Sequence, residues 1–185
     1  MAPDRLSSSS PCLVVIASGS IAACNVTGLV DGLRARCRAP VVVVLTCKAQ
    51  RFVTKDTIQF AGGAAAVVDD GSSPLFHQPD HIWLATHARG ILVYSGRADF
   101  IAKLAAGLAV DVASATFLAC HERLRMVVPS MNPLMWSNPM VQRNLECLRA
   151  FGVKISATAQ GVAPEVHTIV ELFSSLLATT QNLGG

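Results

Sequence analysis

The chain has 185 residues, enough for one domain with a substantial core and too few for two comfortable ones. Half of it is hydrophobic (51%) and only 5% aromatic, which fits helices layered on a parallel sheet buried on both faces. Fifteen basic against twelve acidic residues leave +3, with no basic run to suggest nucleic acid and no stretch approaching the apolar length of a membrane span.

Residues 1–11 read as a flexible leader, with Ser7-Ser8-Ser9-Ser10 the one low-complexity patch. Ile21-Ala22-Ala23-Cys24 resembles a lipoprotein cleavage box. However, the apolar run at 12–17 is short for a signal peptide, Ser18-Gly19-Ser20 interrupts it, and Asp4 offsets Arg5. Leu13-Val14-Val15-Ile16-Ala17 is predicted as a buried strand. A helix over 21–36 follows, with Val26, Leu29, Val30 and Leu33 on one face. Val41-Val42-Val43-Val44-Leu45 is the second strand, 64–68 a weaker third, and Asp69-Asp70-Gly71-Ser72-Ser73-Pro74 a turn.

A short helix at 82–88 precedes strand 91–94. Helices are expected at 98–109, where Ile101, Leu104, Ala105 and Leu108 share a face, and at 111–119. Strand 124–128, a loop, helix 139–151 and strand 153–155 come next. A helix at 164–177 closes the core, with Pro164 in its first turn and Glu165 near its positive end. The alternation predicts an α/β fold: a single doubly wound (Rossmann-like, flavodoxin-like) parallel sheet flanked by helices over 12–178, with 179–185 as a tail.

The six cysteines include no C-x-x-C pair and several lie in apolar runs, so buried free thiols and a reducing, cytoplasmic setting are expected. No histidine pair has metal-ligand spacing, so no metal is expected. His81 opens an amphipathic segment after Gln78-Pro79-Asp80; it reads as a surface or capping histidine or as a neutral base.

Ser18-Gly19-Ser20 lies between the first strand and first helix, where backbone N–H groups and hydroxyls can cradle a phosphate. Many such turns carry Gly and Ser for steric reasons alone. The third glycine of a dinucleotide fingerprint and a Walker lysine are both missing, so a mononucleotide phosphate fits better. Thr46 ends the second strand, within reach of the same ligand. Arg97, in Ser95-Gly96-Arg97-Ala98-Asp99, can grip a phosphate or pair with Asp99, and both readings stand. Pro129-Ser130-Met131-Asn132-Pro133-Leu134-Met135-Trp136 follows a strand directly, placing one amide between thioethers and an indole where open sheets hold their ligands.

Taken in order, these segments resemble the homo-oligomeric flavin-containing cysteine decarboxylases. The matching segments are Ser18-Gly19-Ser20-Ile21-Ala22-Ala23, the Thr-x-x-Ala-x-x-Phe stretch from Thr46 to Phe52, Asp80-His81-Ile82-Trp83-Leu84, the run 98–105, and the Pro-x-Met-Asn-x-x-Met-Trp signature at 129–136. The resemblance covers roughly residues 12–155. It implies FMN (occasionally FAD), trimers that can build dodecamers, and a flavin site at a subunit interface. It also implies oxidation of a cysteine to a thioaldehyde, which loses carbon dioxide as a β-keto acid does. By the same resemblance His81 is the base, Asn132 holds the substrate carboxylate, and Met135 and Trp136 form a dry wall. Gly19, Ser20, Ile21, Thr46, Phe52, Ser95, Arg97, Ala98 and Met131 hold the flavin.

Two departures shape the expectation. Arg97 and Asp99 stand where the family carries serine and asparagine. Arg97 is therefore expected to replace a phosphate-binding serine, and Asp99 to weaken flavin binding by like-charge repulsion. In addition, residues 156–164 lack the cysteine with which phosphopantothenoylcysteine decarboxylases reduce the enethiol. The chain is then expected to release an aminoenethiol from a precursor peptide ending in cysteine, with the 156–163 loop as either peptide clamp or plain connector. The alternatives are the coenzyme A pathway decarboxylase, a more distant flavin prenyltransferase, and a non-catalytic regulatory subunit of the same fold.

Overall fold

The computed structural model describes residues 11–68 and 78–182. The expected leader lies outside them except for Pro11, as do the turn at 69–74 and the last three residues. Six parallel strands run β1 (Cys12–Ala17), β2 (Val41–Leu45), β3 (Ala65–Val68), β4 (Ala88–Gly96), β5 (Leu124–Pro129) and β6 (Lys154–Ile155) along the chain. In space they form one sheet of order β3-β2-β1-β4-β5-β6, the doubly wound order associated with nucleotide binding. β1 and β2 are apolar runs rich in β-branched residues and buried on both faces, and β5 is buried except at Arg125.

Alternate residues of the strands enter two cores. Leu13, Val15, Val43, Tyr94 and Met126 meet helices α1 (Val26–Cys37) and α7 (Val166–Asn182). Val14, Ile16, Val42, Val93 and Val127 meet α2 (Asp80–His87), α3 (Ala98–Ala105), α4 (Val112–Ala119) and α6 (Pro139–Ala150). A four-residue helix, α5 (Pro133–Trp136), lies between β5 and α6.

Several boundaries differ from the sequence expectation. The first helix begins as a 3-10 turn (Ile21–Asn25), a common tightening where Ser20 makes no side-chain cap. Helix α3 stops at Ala105 rather than 109. Gly107 takes φ +68, its N–H donates to the Leu104 carbonyl, and the Leu108 N–H donates to Lys103, forming a Schellman stop. Gly152 (φ +77) ends α6 in the same way. Helix α7 starts two residues later than expected, leaving Pro164 outside. It also runs through 179–182, assigned to a tail, and the hydroxyls of Thr179 and Thr180 fold back to donate to the carbonyls of Ser175 and Leu176. Short helical turns at Ala49–Arg51 and Thr57–Ala61 were not expected.

The six cysteines are unpaired, but only Cys12 and Cys120 are fully buried; Cys24 and Cys47 are exposed. Burial pushes Cys12 up to about 12 and Cys120 to about 11, so both stay protonated thiols. Among the described residues no helix is long and apolar enough to cross a membrane.

Candidate functional site

The carboxyl ends of β1, β4 and β5 enclose a cleft of about 430 Å3 at the point where the strand order reverses. Three loops build it, and each is fixed by its own chemistry.

At the end of β4, Ser95 takes φ +59, a left-handed conformation uncommon for a residue with a side chain. Its buried hydroxyl donates to the Ser18 carbonyl, the Ser18 N–H donates to Tyr94 at 3.1 Å, and the Arg97 N–H approaches Ser18 Oγ at 3.5 Å. The turn breaks the β4–β5 register between Val93 and Gly96 and brings Arg97, Ala98 and Asp99 to the cleft. At the end of β1, Gly19 passes so near the next loop that a Cβ would lie 2.4 Å from Lys48 Cβ. Beside it Ser20 Oγ is buried and, among the described residues, the only buried side-chain polar atom without a hydrogen-bond partner.

At the end of β5, Asn132 caps α5: its Oδ1 accepts from the Leu134 N–H at 2.8 Å, which leaves its NH2 as a donor. The next Asn-Pro step repeats the device, Asn138 capping α6. The segment after β6 then closes over this signature. Thr158 and Val162 bond to each other through backbone and hydroxyl, and the Met131 N–H donates to the Gly161 carbonyl at 3.1 Å. Gly161 (φ +72) rests on Trp136, where a Cβ would fall 2.5 Å from the ring. Val162 is thereby set into the cleft.

Charge concentrates on one side. Asp99 pairs with both Lys48 and Arg97. Burial opposes its ionisation, but the hydrogen bonds and charges of Lys48 and Arg97 outweigh it and hold the carboxyl below its ordinary range. Asp99 is therefore already neutralised, and the expected repulsion of a flavin phosphate loses its source. Of the two readings of Arg97, the ion pair with Asp99 is realised, although the guanidinium also lines the cleft.

Ser20, Ile21, Arg97, Ala98, Met131, Asn132 and Met135 line the cleft as the sequence suggested. Ser130, Asp99 and Val162 join them. The last was detectable only as an apolar residue after a glycine in a polar loop.

The remaining expected residues lie elsewhere. Ser95 is sealed behind the β4 turn. Gly19 supports the loop. Phe52 packs on the α1–α7 core. Thr46 donates to the Ala17 carbonyl and lines a smaller neighbouring cavity of about 270 Å3. Trp136 turns toward the opposite core and carries Gly161, so the wall it was expected to form is made by Met135 and Val162 instead. His81 sits in the first turn of α2, half-buried. Helices of a parallel sheet start at the carboxyl edge, so His81 shares the cleft's edge without lining it.

An apolar cleft with one orphaned hydroxyl, one outward amide and a cation at its mouth fits a planar ring system carrying an anionic tail. The comparisons with known proteins agree with that fit. The profile of the family described as Flavoprotein matches residues 2–178. The coenzyme A biosynthesis bifunctional protein CoaBC of Haemophilus influenzae is 35% identical over 153 residues, covering 80% of this chain. The chain spans only 37% of that relative's length. Among solved structures, the FMN-dependent cysteine decarboxylase SpaF superposes with a TM-score of 0.80 at 28% identity, covering 95% of this chain and 99% of SpaF. A PPC decarboxylase mutant superposes with a TM-score of 0.76 at 26% identity, covering 90% and 99%.

Proposed function

The chain belongs to the flavoprotein family, and on that premise we propose that it binds FMN (FAD being the other fit) in the β1–β4–β5 cleft and oxidatively decarboxylates the C-terminal cysteine of a precursor peptide. The observation that carries this reading is Asn132, which has its oxygen fixed in a helix cap and its NH2 left for a ligand in an otherwise apolar cleft.

Bound flavin supplies a two-electron acceptor that turns the cysteine side chain into a thioaldehyde, from which carbon dioxide departs as from a β-keto acid. The protein's part is positioning and polarity. The Asn132 amide holds the carboxylate with a neutral donor; a cation there would stabilise the charge that has to be lost. Met135, Val162 and Ile21 keep the carboxylate out of water, which favours its departure as neutral gas. His81 serves as the base for the thiol proton and is supplied by a neighbouring copy in a trimer, or in a dodecamer built from trimers. The segment after β6 carries no cysteine to reduce the enethiol, so the product leaves as an aminoenethiol.

A second reading, decarboxylation of phosphopantothenoylcysteine, is favoured by the CoaBC and PPC decarboxylase relatives. One experiment decides between them: mass spectrometry of a short peptide ending in cysteine, and of phosphopantothenoylcysteine, each incubated in air with the purified chain. Loss of carbon dioxide plus two hydrogens from the peptide supports the lead reading. Loss of carbon dioxide plus two hydrogens from phosphopantothenoylcysteine, with the peptide unchanged, supports the second.

A further inference from the structure

Positive charge gathers at the amino edge of the sheet, the end opposite the cleft. Arg36 and Arg38 lie at the end of α1, Arg89 in β4, Arg123 and Arg125 around the start of β5, and Lys154 opens β6. In the stretches 36–38, 88–90, 121–125 and 149–154 the only acid is Glu122, so this edge is more positive than the whole chain, whose net charge is +3. A basic residue in the last turn of a helix offsets the dipole, which accounts for Arg36. It does not account for Arg89 in a central strand, or for Arg123 and Lys154 beside strand starts.

Arg36 and Arg89 line a recess of about 260 Å3 between the end of α1 and the middle of α7, walled also by Cys37, Ser174, Ser175 and Leu177 and by no acid. Arg36 is exposed, and among the described residues no hydrogen bond or ion pair engages it. The two serines are already donors. Ser174 Oγ donates to the Val170 carbonyl at 2.6 Å, and Ser175 Oγ to the Leu172 carbonyl at 2.9 Å. A hydroxyl has one proton, so what these two offer the recess is lone pairs. A ligand that suits both halves carries an anion for the guanidiniums and an N–H for the hydroxyl oxygens. A carboxylate beside a peptide amide supplies both, whereas a phosphodiester backbone offers acceptors alone.

We infer that this recess is a docking site for an acidic polypeptide segment, in which Arg36 and Arg89 grip an Asp or Glu carboxylate and Ser174 and Ser175 accept from its backbone N–H groups. The other cations of the edge attract further carboxylates along the segment. The nine residues of β4 put about 25 Å between this site and the cleft, so the inference stands apart from what the cleft binds.

The test titrates the full chain with a fluorescein-labelled, C-terminally amidated peptide of alternating Glu and Ala, and with its Gln and Ala counterpart, following anisotropy at low and high salt. Neither peptide has a cysteine or a free carboxyl terminus, so the chemistry of the cleft plays no part. The wild type should bind the acidic peptide at least about tenfold more tightly than the neutral one, and salt should erode the difference. Arg36→Gln should weaken the acidic peptide roughly three- to tenfold with thermal unfolding unchanged, since Arg36 is exposed and unbonded. Arg36→Gln with Arg89→Gln should abolish the preference. Arg51→Gln with Arg143→Gln removes the same charge from exposed positions elsewhere and should stay within about twofold. Equal affinity of the wild type for the two peptides, unchanged binding in Arg36→Gln, or equal losses in the two double variants overturns the inference. A short single-stranded DNA that binds more tightly than the acidic peptide, and is lost with Arg36 and Arg89, also overturns it and gives the face to nucleic acid.

Discussion

Asn132 uses the two ends of one amide differently: Oδ1 is committed to the Leu134 N–H, and only the NH2 can meet a ligand. Substitutions at this position therefore separate fold from function. Aspartate caps a helix about as well as asparagine, so Asn132→Asp should hold stability within about 0.5 kcal/mol. Yet, if Asn132 holds the substrate carboxylate as proposed, it exchanges a donor for a second anion beside that group. Turnover should fall roughly a hundredfold or more, since a charge-assisted hydrogen bond is lost and repulsion is added. Thermal unfolding and kcat/KM on a cysteine-terminated peptide check both halves. Near-normal turnover would remove Asn132 from the site, whereas a large fall in Tm would mean that the substitution disturbs the fold and that lost turnover does not report on the carboxylate contact.

The elements show the same division between local signal and tertiary context. Asp111 was read as the start of a helix and is instead its cap. It accepts from the Ser114 N–H at 2.7 Å and pairs with Lys103 across to α3. Burial disfavours its charge, but Lys103 and Ser114 outweigh that and hold the carboxyl below its ordinary 3.8. A carboxyl depressed in the folded state adds stability above its unfolded value, and that stability drains away as pH falls through the folded value. Asp111→Ala should cost roughly 1 kcal/mol at neutral pH. Asp111→Asn caps without titrating, so it should escape the increment that the wild type loses below about pH 4. Urea unfolding at neutral and acid pH compares the two, and identical acid losses would discount the Asp111 pair.

Pattern reading found β1, β2 and β5 because β-branched runs have few other uses, and found the β5 loop because polar and bulky residues abut a strand end. It overran α3 because Leu108 falls on the apolar face by spacing, although Gly107 has already turned the chain and Leu108 is about half-exposed. The turns between β2 and β3 carry no apolar period and are made by local bonds such as Thr54 with Thr57, which periodicity does not register. Thr46 and Phe52 lie beside a strand end in sequence, but tertiary packing turns one toward a backbone carbonyl and the other into the core.

At the scale of the whole molecule, apolar side chains stand exposed around the cleft. Ile21, Leu134 and Met140 are 71%, 83% and 64% exposed, and two of them belong to the loops that build the cleft. An apolar rim of this kind calls for cover, and a closed homo-oligomer is the common way to provide it. It would also bring a second copy's His81 to a cleft that its own His81 does not line. Under that arrangement every site takes Asn132 from one chain and His81 from another. His81→Asn and Asn132→Asp should each be inactive alone. Co-expressed in equal amounts, they should regain about a quarter of wild-type activity, the share of interfaces that random pairing leaves intact on both sides. Size-exclusion chromatography with differently tagged chains verifies that the mixed assembly forms. Full co-assembly without recovered turnover would place His81 and Asn132 of the same chain in one site. The α2 turn would then have to move toward the cleft when substrate binds, instead of reaching across an interface.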